Sequence, residues 1–109
     1  MLFRSHNTSN GTWNSLIRVD DDTYALAYAA SSSYGNVKTF AISKDGLTIT
    51  TAQNKQYQSS SSVYNDFTQI DNNTFAVVYT GPSNDGFIRT MDISSSGAIS
   101  LKKIGRAHV

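Results

Sequence analysis

Val19-Asp20-Asp21-Asp22-Thr23-Tyr24-Ala25-Leu26-Ala27-Tyr28 returns 51 residues later as Ile70-Asp71-Asn72-Asn73-Thr74-Phe75-Ala76-Val77-Val78-Tyr79. Each copy joins a polar turn to an alternating run. Tyr24, Leu26 and Tyr28 fall on one face of that run, and Ala25, Ala27 and Ala29 on the other. Period two marks a strand, because successive side chains of an extended backbone point to opposite faces. The equivalence spreads in both directions, and residues 14–50 align with 65–101 without a gap. Gly35, Thr39, Ile42, Ser43 and Gly46 return as Gly86, Thr90, Ile93, Ser94 and Gly97.

Four short strands fit in each repeat. In the first they are expected over residues 14–19, 23–30, 37–43 and 47–57; in the second over 64–70, 74–80, 87–94 and 98–104. Aromatic and β-branched residues suit a pleated surface. Lys44-Asp45-Gly46 and Ser95-Ser96-Gly97 read as tight turns, with Gly46 and Gly97 at positive φ, where other residues meet a steric penalty. No segment carries a 3.6-residue apolar stripe, so the chain is expected to be all-β.

A four-stranded antiparallel unit of about fifty residues resembles one blade of a β-propeller. The residues carrying the resemblance are Asp20, the 24–28 strand, Gly35, the 37–43 strand, Gly46 and their counterparts. Ser43-Lys44-Asp45-Gly46-Leu47-Thr48 is similar to the Asp-box of sialidase-like propellers, one residue short before the glycine; Ser96 replaces Asp45 in the second copy. No sialidase chemistry is carried over. Blades pack face to face, and Ala25, Ala27 and Ala76 suit the crowding of inner strands, with Tyr28 and Tyr79 capping it.

The resemblance implies two blades per chain, with repeat 1 over 13–63, repeat 2 over 64–109, and residues 1–12 as a partial strand of a preceding unit. Arg4-Ser5-His6 and Arg106-Ala107-His108 occupy one point of the cycle, with Tyr57 midway. Two blades do not close a ring of about 4–8. Self-association into a cyclic homo-oligomer is therefore expected, and a trimer giving six blades is preferred. The competing architecture is a two-sheet β-sandwich with polar outer faces.

A chain of 109 residues supports at most one compact domain. Only 16% of residues are charged and the net charge is +1, so the clustered basic face of a nucleic-acid binder is missing. There is no cysteine for a disulfide or thiolate site. No apolar run reaches membrane-spanning length, and Met1–Asn7 lacks the apolar core of a secretion signal. The compartment stays undetermined. Serines 59–62 read as a flexible connector.

Asp20-Asp21-Asp22 offers oxygen ligands for a hard cation, but Asp and Asn are also standard turn formers, and the turn reading is preferred. His6 and His108 have too few companions for a metal site or a catalytic pair, and Lys38 and Arg89 read as solvated strand residues. Glutamate is absent and no Gly-x-Ser-x-Gly occurs, which leaves a hydrolase unsupported. Neither a catalytic residue nor a cofactor or metal is assigned. Binding is the better expectation. Trp13 and Tyr64 share a register ahead of the first strand, and Tyr34 lies in a Ser-rich loop. With Arg4, His6, Arg106 and His108 they are the candidate ligand-binding residues, for a glycan or a protein surface. The competing reading makes Trp13 and Tyr64 packing residues between blades. The expected function is thus a non-enzymatic, self-assembling binding module. Its alternatives are a structural fragment of a longer propeller and a hydrolase with a site shared between subunits.

Overall fold

The computed structural model describes residues 11–107, without the side chains of Arg106 and Ala107. Repeat 1 forms strands β1 (Thr12–Arg18), β2 (Thr23–Ala29), β3 (Gly35–Ile42) and β4 (Ile49–Gln58). Repeat 2 forms β5 (Val63–Gln69), β6 (Thr74–Thr80), β7 (Gly86–Ile93) and β8 (Ile99–Ala107). Each repeat is one antiparallel sheet, in the orders β1-β2-β3-β4 and β5-β6-β7-β8. The chain is all-β, as its alternating runs require, and among the described residues no strand leaves its own repeat.

The turns explain the local order. Gly46 and Gly97 adopt φ values of 75° and 90°. The β2–β3 connection is tighter than its composition suggests. Ser32 and Ser33 both take positive φ, and Tyr34 N–H donates to Ser31 O at 3.2 Å. Ser83 and Asn84 repeat the geometry, with Asp85 N–H donating to Pro82 O at 3.2 Å. Two successive left-handed residues match the twist of the strands they join.

The two sheets pack through chemically different faces. The second sheet contributes Phe67, Phe75, Val77, Tyr79, Met91 and Ile93. The first contributes the small side chains of Ala25, Ala27 and Val37, closed at one end by Tyr57. Large residues against a flat alanine surface bring two sheets close without voids. Backbone-directed hydrogen bonds fix the register. Thr39 Oγ1 donates to Gly97 O at 2.7 Å, Phe67 N–H donates to Ser15 Oγ at 3.1 Å, and Ile99 N–H donates to Gln53 Oε1 at 2.9 Å. The sheets meet most closely at β1 and β5 and separate towards β4 and β8.

The far faces are not polar in the way a closed sandwich demands. In the first sheet Leu26, Tyr28 and Phe40 form a second buried cluster. On the second sheet Val78 and Ile88 stay 44% and 38% exposed.

The gapless alignment of the repeats is corrected in the fourth strand. Ile42 pairs with Ile49, and its counterpart Ile93 pairs with Ile99. Ile49 thus corresponds to Ile99, so the second tight turn is one residue shorter than the first. Arg106, opposite Phe87, is then the counterpart of Gln56, opposite Asn36, rather than of Lys55. Tyr57 lies in a bulge, between Gln56 opposite Asn36 and Gln58 opposite Gly35. The second repeat has no such bulge there, since Gly86 pairs directly with Ala107. His108, the expected counterpart of Tyr57, lies outside the described residues.

Candidate functional site

Trp13 and Tyr64 lie inside their strands, not ahead of them. In β1, Thr12 pairs with Ala29 and Ser15 with Ala27, so two residues oppose one. In β5, Val63 pairs with Thr80 and Asp66 with Val78 in the same way. Such bulges re-aim a side chain, and their left-handed position normally holds glycine. Here Trp13 and Tyr64 occupy it, at φ 55° and 56°. The left-handed conformation costs about 1–2 kcal/mol for a residue with a Cβ. Both repeats carry this strain at the same point, on an aromatic residue.

The two rings lie together, with centroids 4.3 Å apart and planes tilted by 53°. They are nonetheless 43% and 63% exposed. The pair bridges the two sheets and presents aromatic surface to solvent. Tyr34, also exposed, follows the left-handed Ser32-Ser33 pair at the same end of the sheets.

A buried polar cluster supports this end. Asn65 Nδ2 donates to Trp13 O at 3.1 Å, across the inter-sheet boundary. Asn65 Oδ1 accepts from Ser62 Oγ at 2.8 Å and from Tyr57 OH at 2.5 Å. Ser62 N–H donates to Ser33 O at 2.8 Å, tying the sheet-to-sheet connector to the β2–β3 turn. The serine run is thus a connector with a structural member: Ser62 is fully buried. Its burial was not visible in a run of four serines, since all four look alike in composition.

Burial raises the Tyr57 hydroxyl well above its ordinary value of 10.0, with the Ser62 hydrogen bond opposing the shift. Tyr79, which stacks on Phe87, is raised by burial as well, with Arg89 opposing. Both hydroxyls stay protonated in the fold and ionise more readily in the unfolded chain. Their contribution to stability is present below pH about 10 and is lost as pH rises towards the folded values. A stability profile measured by urea unfolding is expected to fall above pH about 10. Tyr57→Phe is expected to flatten that fall, while costing about 1–2 kcal/mol at neutral pH by removing the hydroxyl's buried bonds to Ser62 and Asn65.

The opposite ends of β1 and β5 hold a polar cleft of about 210 Å³, lined by Val19, Asp20, Gln69, Asn72, Asn73 and Ser95. The acidic turn beside it is organised by its own backbone and by Arg18. Asp21 N–H donates to Asp20 Oδ1 at 2.8 Å, and Arg18 donates to Asp20 O and Asp21 O. Gln69 makes the equivalent bonds to Asp71 O and Asn72 O. A guanidinium thus already stands against the carbonyls a cation would use. In the Asp-box-like turn, Asp45 accepts from Ser43 Oγ at 2.6 Å and from Leu47 N–H at 3.0 Å, which holds its carboxyl below the usual range.

Two further expectations are revised. Lys38 is half-buried, with Nζ 5.9 Å from the Tyr28 ring centroid, and Arg89 is half-buried with Nε enclosed. Neither is a freely solvated strand residue. Arg4, His6 and His108 lie outside the described residues; Arg106 is placed by backbone alone, opposite Phe87.

Neither a protein-family description nor a curated protein nor a solved structure matches the chain.

Proposed function

We propose that the chain is a non-enzymatic β-repeat module, built of two propeller-type blades, that binds ligand at the Trp13–Tyr64 end. The observation carrying this reading is the pair itself: two exposed aromatic residues, 4.3 Å apart, each in a left-handed bulge position that glycine would fill without strain. Strain repeated at equivalent points is a reason to look for function there. The ligand class that fits is a saccharide. Ring faces stack on its C–H groups, and the neighbouring Asn14, Asp66 and Tyr34 supply hydrogen-bond partners for its hydroxyls.

The test is a glycan array followed by titration calorimetry on the hits. Trp13→Ala and Tyr64→Gly are each expected to weaken binding at least tenfold. Tyr64→Gly is expected to change stability by no more than about 1 kcal/mol, because relief of the left-handed strain offsets the lost ring contact. An array without hits, or hits that survive both substitutions unchanged, would remove the ligand reading.

A second reading, a structural unit that works by assembling with copies of itself, is favoured by a separate observation. Val78 and Ile88 leave an apolar sheet face open on the second repeat. Three chains would supply six blades, within the usual range of ring sizes.

A further inference from the structure

The face of the first sheet that receives the second is built on Ala25, Ala27, Val37 and Thr39. The corresponding positions on the open face of the second sheet are Ala76, Val78, Ile88 and Thr90. The open face has kept the small, apolar and threonine chemistry of the closed one. We infer that it seats the first sheet of a second copy of this chain, repeating between chains the interface seen within one. The inference rests on the blade reading, and it draws on Asn14 and Asp66, which the ligand reading also uses.

Particular bonds identify the occupant. Thr39 Oγ1 accepts from Gln53 N–H at 3.1 Å and donates to Gly97 O at 2.7 Å. Thr90 Oγ1 likewise accepts from Lys103 N–H at 3.1 Å, but for its own proton the closest acceptor is Lys103 O at 3.4 Å. Its inter-sheet counterpart would be Gly46 O of the next copy. Gly46 repeats the left-handed turn of Gly97, and a Cβ built there meets nothing within 4 Å, so the space a threonine would fill is open. The bond from Phe67 N–H to Ser15 Oγ translates into one from Leu16 N–H to the Asp66 carboxylate. The bond from Asn65 Nδ2 to Trp13 O translates into one from Asn14 Nδ2 to Tyr64 O. In each case the second copy carries a group of the right kind. One bond is not carried over: Lys103 stands where Gln53 stood, and an ammonium cannot accept from a backbone N–H.

The interface is head to tail, so its copies form a ring where the rotation between sheets closes and an open array where it does not. The received surface of the first sheet carries Leu26, Tyr28 and Phe40, with Leu16 and Ile49 exposed at its margin. Its centre is already buried within a single chain. Association is expected to grow with concentration. In the ring, Trp13 of each copy would stand beside Tyr64 of its neighbour, continuing the aromatic pair around the inner strands.

Sedimentation velocity on the whole chain, with circular dichroism as the check on folding, tests this. The unmodified chain is expected to sediment at a multiple of the monomer mass, three by preference. Ile88→Lys disables only the seating face, and Leu16→Lys only the received face; each variant alone is expected to lose the assembly and remain a folded monomer. Mixed in equal amounts, they share one intact interface and are expected to give a heterodimer and nothing larger. A monomeric unmodified chain, assembly that persists in both variants, or a mixture that stays monomeric would each overturn the inference. Glycan binding by a monomer would leave the ligand reading standing.

Discussion

Phe75→Ala is expected to remove about 4 kcal/mol of stability, a large part of the roughly 5–15 kcal/mol available to a domain of this size. Phe75 is fully buried and meets Phe67 edge to face, with centroids 6.1 Å apart. It stands in the cluster that joins the two sheets, so truncation leaves a cavity at the inter-sheet boundary. Neither sheet can collapse into the space without breaking the bonds at Thr39, Ser15 and Gln53. Tyr24, the same position in the first repeat, is only half-buried. Tyr24→Ala is expected to cost about 1–2 kcal/mol, since part of its ring is already in water. Urea midpoints with unchanged m-values would report both. A cost below about 2 kcal/mol for Phe75→Ala would mean that the sheets do not share one cooperative core.

The contrast between Phe75 and Tyr24 also separates what the chain discloses in one dimension from what it does not. Both belong to runs of period two, so both strands and both of their faces were legible. The positive φ of Gly46 and Gly97 was legible for the same kind of reason, since glycine is the residue that turn demands. Periodicity does not say which face of a repeat meets its neighbour. That choice appears only when the sheets are stacked, with the large face of the second against the small face of the first.

The misses have physical causes too. Trp13 and Tyr64 carry no glycine to announce a left-handed bulge, and serines at 32 and 33 disguise a turn that Asn-Gly would have marked. The alignment slip hides in the outer strand. Residues 49–56 of β4 are all exposed, so no buried apolar pattern pins their register. The extra residue of the first turn falls beside the solvent-exposed Leu47, where a change of loop length disturbs no packing. Trp13, Tyr64 and Tyr34 were singled out by aromatic character, the first two also by their shared repeat register. Their partners Ser62, Asn65 and Tyr57 were not, because a polar residue becomes informative only once its burial is known.

Gly97→Ala is expected to cost about 3 kcal/mol, and Gly46→Ala only about 1 kcal/mol, although the two glycines are equivalent in sequence. Both lie in the left-handed region, at φ 90° and 75°, so both substitutions incur the same backbone strain. The surroundings make the difference. A Cβ on Gly97 would lie 2.8 Å from the Ala52 Cβ and 2.8 Å from Thr39 Oγ1, closer than packed atoms sit. Thr39 cannot retreat freely, because its hydroxyl holds Gly97 O and receives Gln53 N–H. Relief must therefore come from moving one sheet against the other. At Gly46 nothing lies within 4 Å, and only the strain remains. Thermal unfolding should separate the variants by roughly 8 °C or more, at about 4 °C for each kcal/mol in a domain of this length. Equal losses would show that Gly97 does not sit at a packed inter-sheet contact. A Gly46→Ala loss that grows with protein concentration would place a second chain against that turn, where Thr39 stands against its twin.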